Sequence, residues 1–331
     1  MRGRPLRDLS IAIASWNTRD LLGRCLESVY ASSAGLSFET IIVDNASDDG
    51  SADMVASRYP DVKLIQSKVN LGFAAACNLA FKHSAGRYFL LLNSDTVVLD
   101  GALKAMVEFM DGHPDAGAAG CRLLNHDGSL QRSCSRFPGL ATELFDALYL
   151  SKLFPRSRLF GAYSMSYWDF DEVREVDFAG GSCLIVCRDA IEEVGLLDES
   201  FFMYAEEADL CYRLWERGWK VYYFPDARVI HLGGGSARRY GGDILLQLYV
   251  GRNRFVRKHR GKAAAAVHRV IVGLGALCRL CVFGIQRSAS GGHAEPAEAV
   301  AFQWRLLKWT VTGLSHQGIA TNPEVNHDSR H

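Results

Sequence analysis

The sequence predicts an α/β fold organised around one buried strand of a parallel sheet. Tyr88 to Leu92 is a run of five large apolar residues, which is typical of a strand that is buried on both faces. The run ends abruptly in Asn93, Ser94 and Asp95. Since ligands of open α/β sheets bind beyond the carboxyl ends of the strands, Asp95 is the first candidate for a chemical role. Alternatively, the polar residues only form a turn that closes a core strand.

The N-terminal part predicts a strand, a helix and a second strand. Leu9 to Ala14 is a short apolar run, and Asn17 or Thr18 can cap the helix that follows. That helix carries an apolar stripe at three-to-four spacing, formed by Leu22, Cys25, Leu26 and Val29. The second strand, Phe38 to Val43, runs directly into Asp44, and a right-handed crossover places both strand ends on one edge of the sheet. No GxGxxG follows the first strand, which argues against a dinucleotide-binding oxidoreductase.

Later segments continue the α/β pattern. We expect strands at Val62 to Ile65, Gly117 to Leu124 and Val176 to Val186, and helices at Ala74 to Ser84, Ala102 to Met110 and from Glu206 onward. Asn125 to Asp171 is irregular and rich in aromatic residues. Such an insertion is either an acceptor-side loop region or surface decoration.

Composition and charge exclude several classes of protein. The chain of 331 residues has 37 basic and 37 acidic residues, so its net charge gives no case for nucleic-acid binding. Nine cysteines, most of them in apolar runs, indicate reduced core thiols rather than disulfides, and the single CxxC at Cys278 and Cys281 lacks a zinc or redox context. The N-terminus carries no apolar signal segment, so we expect a cytoplasmic catalytic part.

Two pairs of residues in the second half are further candidates. Gly180 and Gly181 precede an apolar strand, where they allow a substrate to approach the backbone closely or simply form a β-bulge. Glu206 and Glu207 lie in the first turn of a predicted helix, where they act either in catalysis or as complements of the helix dipole. We assign the buried side of that helix to Leu210, Cys211, Leu214 and Trp215, and we expect Asp209 to pair with Arg213.

Eight segments stand out in order along the chain. They are SWN near the start, VDNASDDGS, NLGFAAACN, LLNSDT, AGGSCLIV, DESFFMYAEEADLCYR, GWKVYYFPDARVIHLGGGS and RNRFVRKH. Together they resemble the inverting family 2 glycosyltransferases with the GT-A fold, over residues 8 to 260. Within that family they are most similar to bacterial rhamnosyltransferases of cell-surface polysaccharide synthesis. The resemblance implies a Rossmann-like, mixed and mostly parallel sheet flanked by helices.

The resemblance implies a nucleotide-sugar site. The residues concerned are Ala14, Ser15, Trp16, Asp44, Asn70, Gly72, Asn93, Asp95 and Arg238. Asp44 corresponds to the aspartate that holds the nucleotide base, and Asn93 and Asp95 to the outer positions of the DxD motif, which contacts the ribose and binds a divalent metal. Asparagine here replaces the first aspartate and removes one charge. Arg238 adds positive charge at the phosphates or, with Arg239, is a solvated surface residue.

The resemblance also implies roles in metal binding and catalysis. Glu207 occupies the position of the catalytic base, which in the family is usually an aspartate, and Glu206 is the fallback. His231 corresponds to a histidine that completes the metal or diphosphate site in part of the family, so the implied metal ligands are Asp95 and His231. Oxygen ligands suit Mg²⁺ or Mn²⁺. Gly180 and Gly181 are placed on the acceptor side.

The implied reaction moves a sugar from a nucleotide-diphosphate sugar to a hydroxyl group. We expect a dTDP- or UDP-sugar, with dTDP-rhamnose favoured, and a glycan or polyprenyl-diphosphate-linked acceptor. Two alternatives remain at this point. A nucleotidyltransferase also places carboxylates and a metal at a sheet edge, and a non-catalytic sugar-binding protein is conceivable because Asn93 and Glu207 depart from the family pattern.

The last 70 residues predict a segment distinct from the catalytic domain. We divide the chain into a catalytic domain, 1–260, and a C-terminal helical segment, 261–331. Six basic residues between Arg252 and Lys262 favour anionic lipid, while Ala263 to Ile285 is apolar but interrupted by charges. A second amphipathic stretch carries Val300, Trp304, Leu307 and Val311 on one face. We expect peripheral binding to the inner face of the cell membrane; the alternatives are packing on the catalytic domain or a homodimer interface.

Overall fold

The structure is a computed structural model that describes residues 7–233, 242–289 and 297–313. Its strands are β1 (Arg7–Ser15), β2 (Phe38–Asp44), β3 (Lys63–Gln66), β4 (Gly86–Leu92), β5 (Thr96–Val98), β6 (Ala116–Leu124), β7 (Leu130–Gln131), β8 (Cys134–Ser135), β9 (Arg174–Glu175), β10 (Phe178–Ala179), β11 (Cys183–Cys187) and β12 (Lys220–His231). Its helices are α1 (Arg19–Ser32), α2 (Ser51–Arg58), α3 (Phe73–Lys82), α4 (Ala102–Gly112), α5 (Leu140–Ala147), α6 (Leu150–Leu153), α7 (Arg188–Val194), α8 (Glu206–Glu216), α9 (Gly242–Ala289) and α10 (Ala297–Thr312).

One mixed sheet organises these elements, with the strand order β3-β2-β1-β4-β11-β6-β12-β5. The four strands β3, β2, β1 and β4 run parallel to one another, as do β6 and β12. β11 is antiparallel to both of its neighbours, and β5 is antiparallel to β12. The predicted α/β fold with a mostly parallel sheet is therefore confirmed, and the run from Tyr88 to Leu92 is its buried central strand.

Helices cover both faces of the sheet because successive strand residues point to opposite sides. On β4, Leu90 belongs to the core formed with α1, α2 and α4, whereas Leu91 belongs to the core formed with α3, α7 and α8. The predicted stripe of α1 lies in the first of these cores. Burial on both faces fixes β1 and β4 rigidly, so the residues that follow these strands are held on a stable frame.

Three local predictions need correction. Trp215 is 58% exposed rather than buried, although Leu210, Cys211 and Leu214 are buried as expected. Thr18 occupies the N-cap position of α1 without capping it, because its hydroxyl donates to Ser94 Oγ at 2.9 Å instead. The predicted strand from Val176 to Val186 is divided into β10 and β11, with residues 180–182 between them.

The long helix α9 consists of two parts. Gly261 interrupts it with φ 87° and ψ 172°, a left-handed conformation that suits glycine. The part before Gly261 contacts α8, α5 and α10, and the part after it packs against α5 and α10. The predicted division of the chain at residue 260 stays a prediction, although the interruption falls at that place.

The predicted basic cluster on α9 is only partly available to a ligand. Arg252 is directed into the protein, where it pairs with Glu143 at 3.4 Å and lies over the ring of Tyr163. Lys258 pairs with Asp198 and Asp209, each at 2.7 Å. Sequence proximity suggested one patch, but a helix directs neighbouring side chains to different faces. These two cations therefore join α9 to the catalytic domain.

By length and composition alone, one helix of the described chain is apolar enough to cross a membrane, over Ile244–Phe283. Core helices of soluble proteins meet the same criterion, so the finding does not place α9 in a bilayer. Of the most apolar 18 residues of this helix, 28% are buried in the part of the chain that the structure describes.

Asp209 should be the main polar link between α8 and α9. This fully buried carboxylate accepts from Arg213 Nε at 2.9 Å, Lys258 Nζ at 2.7 Å and His259 Nε2 at 2.8 Å. Because Asp209→Asn removes the buried charge that compensates Arg213, while the partly exposed Lys258 keeps Asp198, it should lower the free energy of unfolding by about 3 kcal/mol in urea denaturation. Asp127→Asn, at an exposed turn, serves as the control and should have no measurable effect. Equal stability of both variants would contradict this role.

Candidate active site

A cleft of about 980 Å³, including its open mouth, lies where the predicted site residues converge. Its lining comprises Ala14, Ser15, Trp16, Asn45, Asn70, Gly72, Phe73, Asn93, Ser94, Asp95, Gly180, Gly181, Ser182, Met203, Tyr204, Glu206, Glu207 and His231. All of the residues predicted from the sequence are in this set except Asp44, which lies beside it, and Arg238, which lies outside the described residues.

The floor of the cleft is held by hydrogen bonds between neighbouring strand ends. β1 and β2 are in register to their last residues, Ser15 and Asp44, and Asn45 N donates to Ser15 O at 2.8 Å. Thr18 Oγ1 shares a hydrogen bond with Ser15 Oγ at 3.0 Å and donates to Ser94 Oγ. The ends of β1, β2 and β4 therefore form one connected platform.

Asp44 has one oxygen without a partner. Its Oδ2 accepts from Ser47 N at 3.1 Å, while Oδ1 is buried and has no hydrogen bond within the part of the chain that the structure describes. A buried carboxylate oxygen is costly unless a donor reaches it. This atom can therefore accept an N–H from a ligand.

Gly72 is required by the close approach of another loop. Its φ is 80°, and a Cβ at this position would lie 2.5 Å from the carbonyl oxygen of Phe202. Asn70 Oδ1 accepts from Gly72 N at 2.9 Å, and Phe73 N donates to Phe202 O at 2.9 Å. The predicted pair Asn70 and Gly72 thus joins the start of α3 to the loop that precedes α8.

Asp95 and His231 are brought together by the pairing of β5 with β12. His231 lies opposite Thr96 in that antiparallel ladder, and Leu232 N donates to Asp95 O at 3.0 Å. As a result, His231 Nε2 is 3.3 Å from Asp95 Oδ1 and 3.4 Å from Asn93 Nδ2. The two residues implied as metal ligands are therefore neighbours, although 136 positions separate them in the sequence.

Gln131 fixes the tautomer of His231. The Gln131 amide nitrogen donates to Asn125 Oδ1 at 3.0 Å and to His231 O at 3.3 Å, so its oxygen must face His231 Nδ1, 2.6 Å away. Nδ1 is then the donor, and in that tautomer Nε2 presents its lone pair towards Asp95. No sequence pattern pointed to Gln131, because it lies in the irregular segment.

The geometry around Asp95 fits a divalent metal. A nitrogen lone pair facing a carboxylate oxygen at 3.3 Å is favourable when a cation lies between them. The hydrogen bond from Nδ1–H to Gln131 is the second-sphere support that metal-binding histidines usually have. The described residues offer no cluster of three or more acidic, histidine or cysteine side chains. Such a metal would therefore take its remaining ligands from phosphates and water, as Mg²⁺ commonly does.

Glu206 and Glu207 form a buried acidic pair at the start of α8. The Oε2 atom of each is buried and has no hydrogen-bond partner among the described residues. Burial raises the pKa of Glu207 to about 7 and, with the negative charge of Glu207 added, holds the pKa of Glu206 well above its usual range. A carboxyl group with a pKa near 7 is suited to accept a proton at physiological pH.

The turn before this pair has an unusual backbone. Tyr204 and Ala205 both adopt left-handed conformations, with φ of 70° and 71°, which non-glycine residues rarely do. α9 supports the turn at Gly251, where a Cβ would lie 2.5 Å from the Tyr204 carbonyl oxygen. The contact holds the acidic pair at the edge of the cleft.

Gly181 lies against the acidic pair across the cleft. A Cβ at Gly181 would be 3.8 Å from the Glu207 Cβ and 3.4 Å from the Phe73 ring. Gly180 N donates to Ser133 O at 2.7 Å, and neither glycine has a positive φ. Because β10 ends before them, the glycines form an open stretch of cleft wall rather than a bulge within one strand. Asn45, Met203 and Tyr204 are lining residues that the sequence analysis did not single out.

The fold is that of the GT-A glycosyltransferases. A mannosyltransferase from Pyrobaculum calidifontis, solved in complex with GDP-Man and Mn2+, superposes with a TM-score of 0.54 at 16% identity, over 93% of this chain and 89% of that one. This likeness concerns the fold.

Sequence comparisons give the family. Residues 10–171 match the profile of Glycosyl transferase family 2. The N-acetylglucosaminyl-diphospho-decaprenol L-rhamnosyltransferase of Mycobacterium tuberculosis is 33% identical over 210 residues, which are 60% of this chain and 68% of that protein. Rhamnosyltransferase WbbL of Escherichia coli is 25% identical over 70% of this chain and 85% of its own length. The chain belongs to glycosyltransferase family 2. This membership favours glycosyl transfer over the alternative of nucleotidyl transfer.

Replacing Gln131 should weaken metal binding without touching a ligand. Gln131→Leu removes the acceptor for His231 Nδ1–H, so the ring loses its fixed tautomer and orientation. The affinity for Mn²⁺, measured by electron paramagnetic resonance with the nucleotide diphosphate present, should fall by roughly tenfold or more. Gln131→Glu keeps an acceptor at this place and should retain the affinity. Unchanged Mn²⁺ binding by the leucine variant, with an unaltered thermal midpoint, would show that Gln131 has no such role.

Proposed function

We propose that this protein is an inverting, metal-dependent glycosyltransferase that moves a sugar from a nucleotide-diphosphate sugar to a hydroxyl group of a glycan or lipid-linked glycan. One observation carries the proposal: a single cleft contains both the Asp95–His231 pair, suited to a metal diphosphate, and a buried carboxylate with a pKa near 7. A sugar bound between them would have its leaving group on one side and a base on the other.

Glu207 acts as the general base in this proposal. Inversion requires a single in-line displacement, in which the acceptor hydroxyl loses its proton as it attacks the anomeric carbon and the nucleotide diphosphate departs. The buried oxygen of Glu207 accepts that proton, and Glu206 lies beside it with a pKa that burial and the charge of Glu207 hold well above its usual range. A side chain at position 181 would contact Phe73 and Glu207, so the glycine keeps the cleft from narrowing beside Glu207, where the acceptor sugar would bind.

The donor is held by the strand ends. Asp44 Oδ1 accepts an N–H of the base, and the amides and hydroxyls around Ser15 and Asn93 surround the ribose. Asp95 and His231 hold Mg²⁺ or Mn²⁺, which would neutralise the charge of the diphosphate leaving group. Mn2+ is present with GDP-Man in the mannosyltransferase complex that shares the fold. The replacement of the first DxD aspartate by Asn93 is offset by the nitrogen ligand of His231.

The relatives support rhamnose as the sugar and a lipid-linked acceptor. Two of them are named rhamnosyltransferases, and the name of the mycobacterial protein specifies an N-acetylglucosaminyl-diphospho-decaprenol acceptor. We therefore infer dTDP-rhamnose as the favoured donor, a polyprenyl-diphosphate-linked acceptor and a role in cell-surface polysaccharide synthesis.

A lipid-linked acceptor would lie at a membrane, and the C-terminal helices are suited to bind the enzyme there. After Gly261, α9 buries Val272 and Ala276 against Leu306 and Trp309 of α10, while its other face is exposed. A helix covered on one side by the protein suits binding along a membrane surface rather than passage through it. We infer a peripheral enzyme on the cytoplasmic face of the cell membrane.

The decisive experiment replaces each of the two glutamates by glutamine in turn. Glu207→Gln should lower kcat by about 10²–10⁴-fold with donor affinity nearly unchanged, because only proton transfer is lost. In the wild type, kcat/KM should fall about tenfold per pH unit below pH 7, because protonated Glu207 cannot accept a proton. Glu206→Gln, which imitates a neutral carboxyl group, is the matched control and should retain transfer. The reverse pattern would assign the base to Glu206, and full activity of both variants would contradict the proposal.

Donor choice can be tested separately by calorimetry. With Mn²⁺ present, dTDP and UDP should bind more tightly than GDP, and only dTDP-rhamnose among rhamnose and hexose donors should support transfer. Asp95→Ala should abolish the metal-dependent part of the binding. A clear preference for GDP would reject both favoured donors while leaving the family assignment intact.

A further inference from the structure

The segment from α5 to residue 160 exposes an unusual number of large apolar side chains. Leu153 is 67% exposed and Phe154 52%, and Leu144, Leu148 and Leu159 are exposed as well. Ring contacts of Phe160 with Phe145 and Phe154 make this segment one ordered unit. Exposed apolar side chains that cluster in this way mark a binding surface.

This segment is joined directly to the second part of α9. A Cβ at Gly275 would lie 2.9 Å from the Ala147 Cβ, so the two helices are in close backbone contact. The guanidinium of Arg279 lies 5.6 Å from the centre of the Tyr149 ring, and the Lys152 ammonium lies 5.2 Å from it. Leu148 and Leu274, next to the close contact, are both exposed. The two elements therefore present one continuous surface.

α9 contributes an apolar stripe to the same surface. Val267, Val270, Leu274 and Leu277 are exposed and recur at alternating steps of three and four residues, so they lie along one line of the helix. Val270 is 61% exposed, while Ala265, Val272 and Ala276 on the other side are buried. Of the 17 exposed large apolar residues in the described chain, 12 belong to α5 through residue 159, to α9 after Gly261 or to α10. The apolar surface is thus concentrated on one group of elements.

The charge near this surface is positive on balance. Between Gly261 and Ala289 the sequence contains four lysines and arginines and no aspartate or glutamate. Within residues 140–160, Glu143 is buried against Arg252 and Asp146 accepts from Ser151, whereas Lys152, Arg156 and Arg158 are exposed. Apolar side chains bordered by arginine, lysine and tyrosine are typical of surfaces that rest in the headgroup layer of an anionic bilayer.

We propose that residues 140–160 of the catalytic domain form, with the exposed stripe of α9, a composite surface that binds an anionic lipid bilayer. This inference rests on the proposed peripheral function and extends it, because membrane contact then involves a segment between β8 and β9 as well as the C-terminal helices. A second copy of the chain is a poorer occupant, since two such surfaces would bring clusters of like charge together.

The test uses the full chain and sedimentation with vesicles of phosphatidylcholine, with and without phosphatidylglycerol. Leu153→Ser/Phe154→Ser removes apolar area without adding charge. Binding to the anionic vesicles should fall at least about tenfold, since burial of either side chain is worth about that factor. Val173→Ser/Trp215→Ser, at exposed apolar positions outside the surface, is the matched control and should bind as the wild type does.

The outcomes separate this inference from the proposed function. If the wild type binds vesicles and the Leu153/Phe154 variant binds them equally well, residues 140–160 are not part of the membrane-binding surface. The membrane contact would then be made by the C-terminal helices alone. Absence of wild-type binding to either vesicle would overturn both membrane statements, while metal-dependent binding of dTDP or UDP would still support the transferase. A wild-type dimer that becomes a monomer only in this variant would assign the surface to a second copy. Equal binding to neutral and anionic vesicles would overturn the anionic part of the inference.

Discussion

The antiparallel pairing of β5 with β12 is the constraint on which the site depends. β5 follows the central strand after a turn of three residues, and its ladder with β12 places His231 opposite Thr96. Without this pairing Asp95 would be a single carboxylate at a strand end. With it, a nitrogen lone pair and a carboxylate oxygen lie 3.3 Å apart, a distance at which they favour a shared cation. The remaining parts of the cleft hold the groups that we propose for donor binding and for the general base.

The second requirement is the desolvation of the acidic pair, and it has a structural cost. Two carboxyl groups whose Oε2 atoms find no hydrogen bond among the described residues, preceded by two left-handed residues, reduce the stability of the fold. Neighbouring elements compensate: α3 holds the Phe202 carbonyl, and α9 packs Gly251 on Tyr204. The strain is therefore confined to one turn between rigid helices, where it places Glu207 at the cleft.

Local sequence patterns predicted those parts of the molecule whose structure depends on the residues of one short segment, such as a buried strand. The run Tyr88 to Leu92 is recognisable as a central strand because burial on both faces demands apolar residues without alternation. Gln131 could not be found in this way, because its role depends on a hydrogen bond across 100 positions. The burial assigned to Trp215 was wrong, since the apolar face of α8 extends beyond the part that the sheet covers. Arg252 and Lys258 were assigned to a lipid-binding patch, since only the folded chain shows Glu143 and Asp209 beside them.

Gly251 of α9 supports the turn before Glu206 and Glu207, and its place in the helix matters for protein engineering. The residues of α9 that support the catalytic turn and pair with α8 all precede Gly261, whereas the exposed apolar stripe follows it. The interruption of the helix therefore separates what the active site needs from what makes the surface apolar. Four exposed apolar residues can therefore be replaced by polar ones to make the protein more soluble without altering any contact of the cleft. They are Val267, Val270, Leu274 and Leu277.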